Sequence, residues 1–238
     1  MYYITGDIHR DYERLARACS EHGLTSRDTV ILLGDTGINY YGDKRDSELK
    51  ARLSGIAASI LCIHGNHDRR PRSIGTYRQS PWQGGLVDLE DAFPNILFAR
   101  DGEVYDLGGL RAIAIGGAYS PDKHARLLLG WNWFADEQPD QPIKDYVESQ
   151  LASHDWSVDV VLSHTCPHKY RPVEVFGEGF DRDLIDESTE LWLDEIESKL
   201  SYRRWYCGHF HIEKRVDRMQ FMFEGFEPLV SPLVSPSQ

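Results

Sequence analysis

The stretch Leu61–Asp68, LCIHGNHD, limits what this chain can fold into more than any other. Ile60–Ile63 is a short apolar run of the kind that forms a buried parallel strand, and it stops abruptly at His64 and Gly65. Asn66, His67 and Asp68 then leave the strand end together. Asn66 offers an amide oxygen that can ligate a metal, and His67 an imidazole that can carry a proton. Asp68 brings a carboxylate able to hold that imidazole's tautomer and raise its pKa. In isolation, Gly65–Asp68 would read as a polar surface turn.

It is not isolated. Tyr2–Thr5 runs into Gly6, Asp7, Ile8 and His9; Thr29–Leu33 runs into Gly34, Asp35, Thr36 and Gly37. Later, Val158–Leu162 ends in Ser163 and His164, and Trp205–Cys207 ends in Gly208, His209, Phe210 and His211. Behind Asp11 as N-cap, Tyr12, Leu15, Ala16 and Cys19 fall at helical spacing, and Leu49, Leu53, Ile56 and Ala57 repeat that spacing before the third strand. The order βαβαβ predicts a parallel sheet with crossover helices. Ligands bind at the carboxyl ends of such strands, so five polar clusters are expected to converge on one edge.

Beyond the third strand the grammar changes. Leu86–Leu89, Ile96–Ala99, Glu103–Leu107 and Leu110–Ile115 read as short strands, with a hairpin at Gly108-Gly109, and they predict a second, more antiparallel sheet. Residues 116–141 form a long irregular segment whose Trp131, Trp133 and Phe134 are expected to pack beneath the loop, with stacking on a base or aryl group as the alternative. Pro142 opens a helix carrying Ile143, Tyr146, Val147 and Leu151; residues 171–183 read as a loop; Leu193, Ile196 and Leu200 mark a further helix. Arg215–Val216 and Gln220–Phe223 suit a closing hairpin of the second sheet.

A length of 238 residues with 41% hydrophobic content fits one domain over 1–238, with a loosely packed tail at 227–238. The formal charge of −12 opposes nonspecific binding to nucleic acid or anionic membranes. No apolar stretch reaches the roughly 18–20 residues of a membrane span, and Asp7 already belongs to a candidate site, leaving no room for a signal peptide. A cytoplasmic protein is the expectation. Cys19, Cys62, Cys166 and Cys207 form no C-x-x-C pair and read as reduced core residues.

The converging groups are Asp7, His9, Asp35, Asn66, His164, His209 and His211, enough for two divalent ions if one carboxylate bridges. Oxygen and imidazole donors without thiolate point to manganese first, with iron, zinc, nickel or magnesium as alternatives. Two such ions, about 3.5–4 Å apart, share a hydroxide nucleophile and clamp a transferring phosphoryl group. His22, His64, His124, His154 and His168 receive no role. Of the arginines, Arg10 and Arg126 are preferred for substrate, whereas Arg69, Arg70, Arg72 and Arg78 fit a solvated face.

The ordered set GDIH (6–9), GDTG (34–37), GNHD (65–68), SH (163–164) and GHFH (208–211) resembles the calcineurin-like metallophosphoesterase family. The resemblance implies an α/β fold, a four-layer αββα sandwich of two mixed β-sheets flanked by helices. It implies one metal held by Asp7, His9, Asp35 and His211 and a second by Asp35, Asn66, His164 and His209, with Asp35 bridging. In it His67 is the general acid for the leaving oxygen or a transition-state stabiliser, oriented by Asp68. Arg10 replaces the glycine that often follows G-D-x-H. GDTG lacks the Asp-Arg-Gly of the protein Ser/Thr phosphatase branch, whose third motif also ends in Glu, so phosphoproteins are not the expected substrate. GGAYSPDKHAR (116–126) resembles a loop of some bacterial and phage members.

The function these features imply is metal-dependent phosphoester hydrolysis, on small diesters in preference to monoesters. A diester carries one negative charge against about two for a monoester near neutral pH, and few arginines accompany the motifs. A phosphomonoesterase is the alternative. A non-catalytic metal-binding scaffold is a third reading, and it should show missing ligands or a missing His67; none is missing.

Overall fold

Four-residue apolar runs are too short and too thoroughly buried to be amphipathic helices, and they form the strands at the centre of both sheets. The computed structural model describes residues 1–175 and 185–229. Strand β1 (Tyr2–Thr5), helix α1 (Tyr12–Glu21), β2 (Thr29–Leu32), α2 (Lys44–Leu53) and β3 (Ser59–Cys62) supply the expected βαβαβ unit. Asp11 caps α1 by accepting from the Arg14 N–H, and Asp43 caps α2 by accepting from the Arg45 N–H. Helix α2 stops at Leu53, earlier than the apolar spacing through Ala57 suggested.

The chain continues through β4 (Tyr77–Trp82), β5 (Gly85–Glu90), β6 (Ile96–Ala99), β7 (Val104–Asp106) and β8 (Arg111–Ile115). After these come α3 (Lys123–Leu129), α4 (Gln141–Ser153), β9 (Val160–Ser163), α5 (Ser188–Lys199), β10 (Arg204–Cys207), β11 (Lys214–Val216), β12 (Met219–Phe221) and β13 (Glu227–Pro228). One sheet has seven strands in the order β13-β1-β2-β3-β6-β5-β4; the other has six, β11-β12-β10-β9-β8-β7. The second sheet begins at β7, because β5 and β6 extend the first sheet. Nor is the second sheet the more antiparallel one, since β8, β9, β10 and β12 pair in parallel. Its closing hairpin, β11 with β12, is as expected. Glu227 and Pro228 pair with β1 and Leu229 is buried, so the expected loose tail is docked at its start, and 230–238, with 176–183 of the expected 171–183 loop, lie outside the described residues.

Three apolar clusters define four layers. Ile31, Leu61 and Val87 of the first sheet meet Ala112, Val160 and Tyr206 of the second in a central core between the sheets. Leu15 and Leu53 cover the outer face of the first sheet, and Val147, Leu151, Leu193 and Ile196 that of the second. The arrangement is the αββα sandwich. All four cysteines are free and buried. Among the described residues no helix is long and apolar enough to cross a membrane.

Candidate active site

The five polar clusters do converge. Asp7 and His9 follow β1, Asp35 follows β2, and Asn66 and His67 lie just beyond β3. His164 follows β9, and His209 and His211 follow β10. Potential ligand atoms of Asp7, His9 and His211 lie within 4.8 Å of one another, as do those of Asp7, Asp35 and His164. Asp35 sits between the two halves: Oδ2 is 4.0 Å from His9 Nε2, and Oδ1 is 3.5 Å from His164 Nε2. His211 Nε2 is 3.2 Å from Asp7 Oδ2 and 2.9 Å from His9 Nε2. His209 joins through its ring, 5.0 Å from that of His164, and through its N–H, which donates to Asp7 Oδ1 at 3.0 Å.

Backbone geometry explains why these turns need their sequences. His9, Asp35, His209 and His211 all adopt left-handed φ, at 41°, 45°, 67° and 51°, a conformation costing about 1 kcal/mol or more for residues other than glycine. The turns hold one another there. His9 N–H donates to the Asp35 carbonyl at 2.9 Å, His67 N–H to Asp35 Oδ1 at 2.8 Å, and Gly208 N–H to the His164 carbonyl at 3.0 Å. A Cβ on Gly65 would lie 2.1 Å from the Asp35 nitrogen, and one on Gly208 2.2 Å from Asp7 Oδ1, so only glycine lets the ligand loops approach so closely.

The donor set suits a divalent cation. The Leu33 carbonyl accepts from His164 Nδ1 at 2.7 Å, which selects the tautomer that presents Nε2 as a lone pair. Glu137 Oε2 accepts from the Ser120 hydroxyl, and Ser120 Oγ in turn accepts from Asn66 Nδ2 at 2.9 Å, which turns Asn66 Oδ1 towards His164. Two acceptors therefore meet at 2.8 Å, an arrangement that a cation or a proton must reconcile. Burial, with the Asp7 and Asp68 carboxylates nearby, pushes Asp35 well above its ordinary pKa. Burial would raise Asp7 as well, but hydrogen bonds from His211 and the His209 backbone hold it at about 2. Burial also lowers His9 to about 4 against the pull of Asp7.

Two of the expected substrate and acid positions, Asp68 and Arg10, take other partners, and a third, Arg126, reaches the site. Asp68 does not orient His67: its Oδ2 accepts from the Thr36 N–H and hydroxyl, and its Oδ1 from the Gly37 N–H at 2.8 Å, so it ties the GDTG loop to β3. Burial keeps that carboxyl raised, to about 6, despite these donors. Arg10 donates to the Gly37 and Arg45 carbonyls and to Asp46, stacks over Tyr41, and braces the start of α2. Arg126 does reach the site, with Nη2 3.2 Å from His67 Nε2, and is itself held by Asp122, Tyr40 and the Asn132 carbonyl. Burial and that guanidinium push His67 down to about 3.

Residues 116–141 are not wholly irregular: they carry α3, and Trp133 is pinned by donating to Glu137 at 2.8 Å. The sequence reading missed Ser120, Asp122 and Glu137, although the GGAYSPDKHAR stretch contains the first two.

The sequence profile of the calcineurin-like phosphoesterases matches residues 2–213. No curated protein matches the chain. Among solved structures it is similar to TT1561 of Thermus thermophilus, at 12% identity and a TM-score of 0.51 over 93% of this chain and 87% of that one. A second structure aligns with a TM-score of 0.50 at 13% identity, over 93% and 88%. At such identities the likeness is one of fold. The match over residues 2–213, taken with the converged ligand clusters, places the chain in the calcineurin-like phosphoesterase family.

Proposed function

We propose that this phosphoesterase is a binuclear-metal phosphodiesterase acting on small substrates. The observation that carries the binuclear reading is Asp35, whose two oxygens face His9 and His164 separately. In this reading Asp7, His9, Asp35 and His211 hold one ion and Asp35, Asn66, His164 and His209 the other. Manganese suits the oxygen and imidazole donors best. When bound, such ions supply Lewis acidity at the phosphoryl group and activate a water.

The residues around this centre have separate tasks. Ser120 and Glu137 fix the Asn66 amide, and Leu33 fixes the His164 tautomer. Arg126 is the guanidinium beside His67, placed to take a non-bridging phosphoryl oxygen as charge builds. With Nε2 accepting from the guanidinium and the ring neutral at pH 7, His67 steers Arg126 towards the phosphoryl oxygen and stabilises the transition state through it, a reading preferred here to the general acid.

The diester preference follows from charge. Arg10 is committed to α2, which leaves Arg126 as the one arginine of the expected pair at the site, suited to a singly charged phosphate. The test compares kcat/KM for bis-nitrophenyl phosphate and nitrophenyl phosphate under the same manganese concentration and pH. We expect the diester to equal or exceed the monoester. A clear monoester preference that collapses in Arg126→Ala would overturn the diester reading.

A further inference from the structure

A cavity of about 500 Å³ lies apart from the catalytic cluster: none of the seven candidate ligands lines it, nor does His67 or Arg126. Its walls come from the loop after β3, from the ends of β4 and β6, and from the first turns of α4. Three of the arginines that follow the GNHD motif, Arg70, Arg72 and Arg78, belong here. Arg70, Arg72, Arg78 and Arg100 line it against only Asp88 and Asp101, in a chain whose net charge is −12.

Three of these guanidinium groups have a carboxylate partner: Arg70 pairs with Asp101, Arg72 with Asp140 and Arg78 with Asp91. Arg100 makes no side-chain hydrogen bond or ion pair among the described residues, and its buried Nη1 has no partner. Arg70 Nη2 and His64 Nε2 are likewise buried and unpartnered, on side chains from residues only 6% and 5% exposed. Five buried side-chain nitrogen or oxygen atoms among the described residues lack a hydrogen-bond partner, and three of them belong to residues lining this one cavity. Native proteins seldom leave such atoms unsatisfied, at about 1–3 kcal/mol each, unless something else completes them.

We propose that this cavity is a second ligand site, which takes a phosphate-type tetrahedral oxyanion carried on a small organic body, with Arg100 as its anchor. Guanidinium groups match such oxygens bidentately, and the two that keep unpartnered nitrogens, Arg70 and Arg100, come from two chain segments and so suit oxygens that diverge better than the two coplanar oxygens of a carboxylate. The volume falls in the range of sites for small organic ligands, about 300–1,000 Å³. The apolar part of the wall, including Ile143 and Pro142, accommodates the body. The proposal does not depend on the catalytic reading.

The test is calorimetric titration of phenylphosphonate, and separately of inorganic phosphate, into manganese-loaded protein. The expected result is a binding event besides any at the metal centre, tighter for phenylphosphonate than for phosphate. Arg100→Gln weakens that event at least tenfold and leaves kcat/KM for nitrophenyl phosphate unchanged. Because the Arg100 side chain gives up no hydrogen bond or ion pair, the variant melts no lower than the parent. Ile143→Asp, which places a carboxylate on the opposite wall, weakens the same event independently. A single event confined to the metal centre, or a second event of unchanged affinity in both variants, overturns the proposal. Equal affinity for phosphate and phenylphosphonate overturns the organic body.

Discussion

At His67 burial and the field of one neighbour together set what the ring can do. Arg126 adds to burial in pushing the imidazole down to about 3, so removing the guanidinium in Arg126→Ala moves that pKa upward, which an NMR titration of the ring measures directly. If His67 stabilises charge and does not donate a proton, His67→Ala lowers kcat by about 10²-fold to a similar extent on nitrophenyl and alkyl esters. A much larger loss on the alkyl ester would restore the general acid, since poor leaving groups need protonation most. Asp68 acts at a different level. Its carboxylate takes two backbone N–H groups and a hydroxyl in a buried position, so Asp68→Asn turns an amide N–H₂ on donors and costs about 1–3 kcal/mol of stability, read by denaturant unfolding.

The strand-to-ligand turn is the element on which the site is built, and its glycine is as necessary as the ligand. Gly65→Ala forces a Cβ against the Asp35 backbone and should cost several-fold or more in metal affinity, whereas Gly75→Ala, with nothing within 4 Å, leaves metal content unchanged. A Gly65→Ala protein with normal metal affinity would mean that the loops can separate freely. Such turns are legible in a sequence because the ligands come directly after short apolar strands, where the period of the chain breaks. Elements without that contrast are not. β4 escaped notice because, as an edge strand, it is largely polar and carries Pro81, which a central strand would exclude. α3 has seven residues and buries none of them, so it leaves no amphipathic stripe to detect. Strand pattern alone does not say which sheet β5 and β6 join, and the commitments of Arg10 and Asp68 arise from residues distant in sequence, Asp46 and Thr36, that only the fold brings near.

Across the whole molecule, the cluster of candidate ligands couples charge to stability. A carboxyl raised in the folded chain favours folding while it stays protonated, so Asp68 adds a stability that falls as pH rises from its ordinary value of 3.8 through about 6, and Asp35 acts in the same sense. Asp7, held at about 2, acts oppositely: its contribution is present above 3.8 and is lost as pH falls towards 2. Divalent cations offset the buried negative charge only when Asp35 is ionised, so the rise in Tm on adding manganese is larger at pH 7 than at pH 5, by calorimetry. The central claim is that one buried carboxylate, Asp35, joins two ions into one catalytic centre. Elemental analysis of protein equilibrated with manganese tests it most directly, in the parent and in Asp35→Asn. The account predicts about two ions per chain in the parent and a clear loss in the variant. A parent that never exceeds one ion, or an Asp35→Asn protein that still holds two, would contradict it.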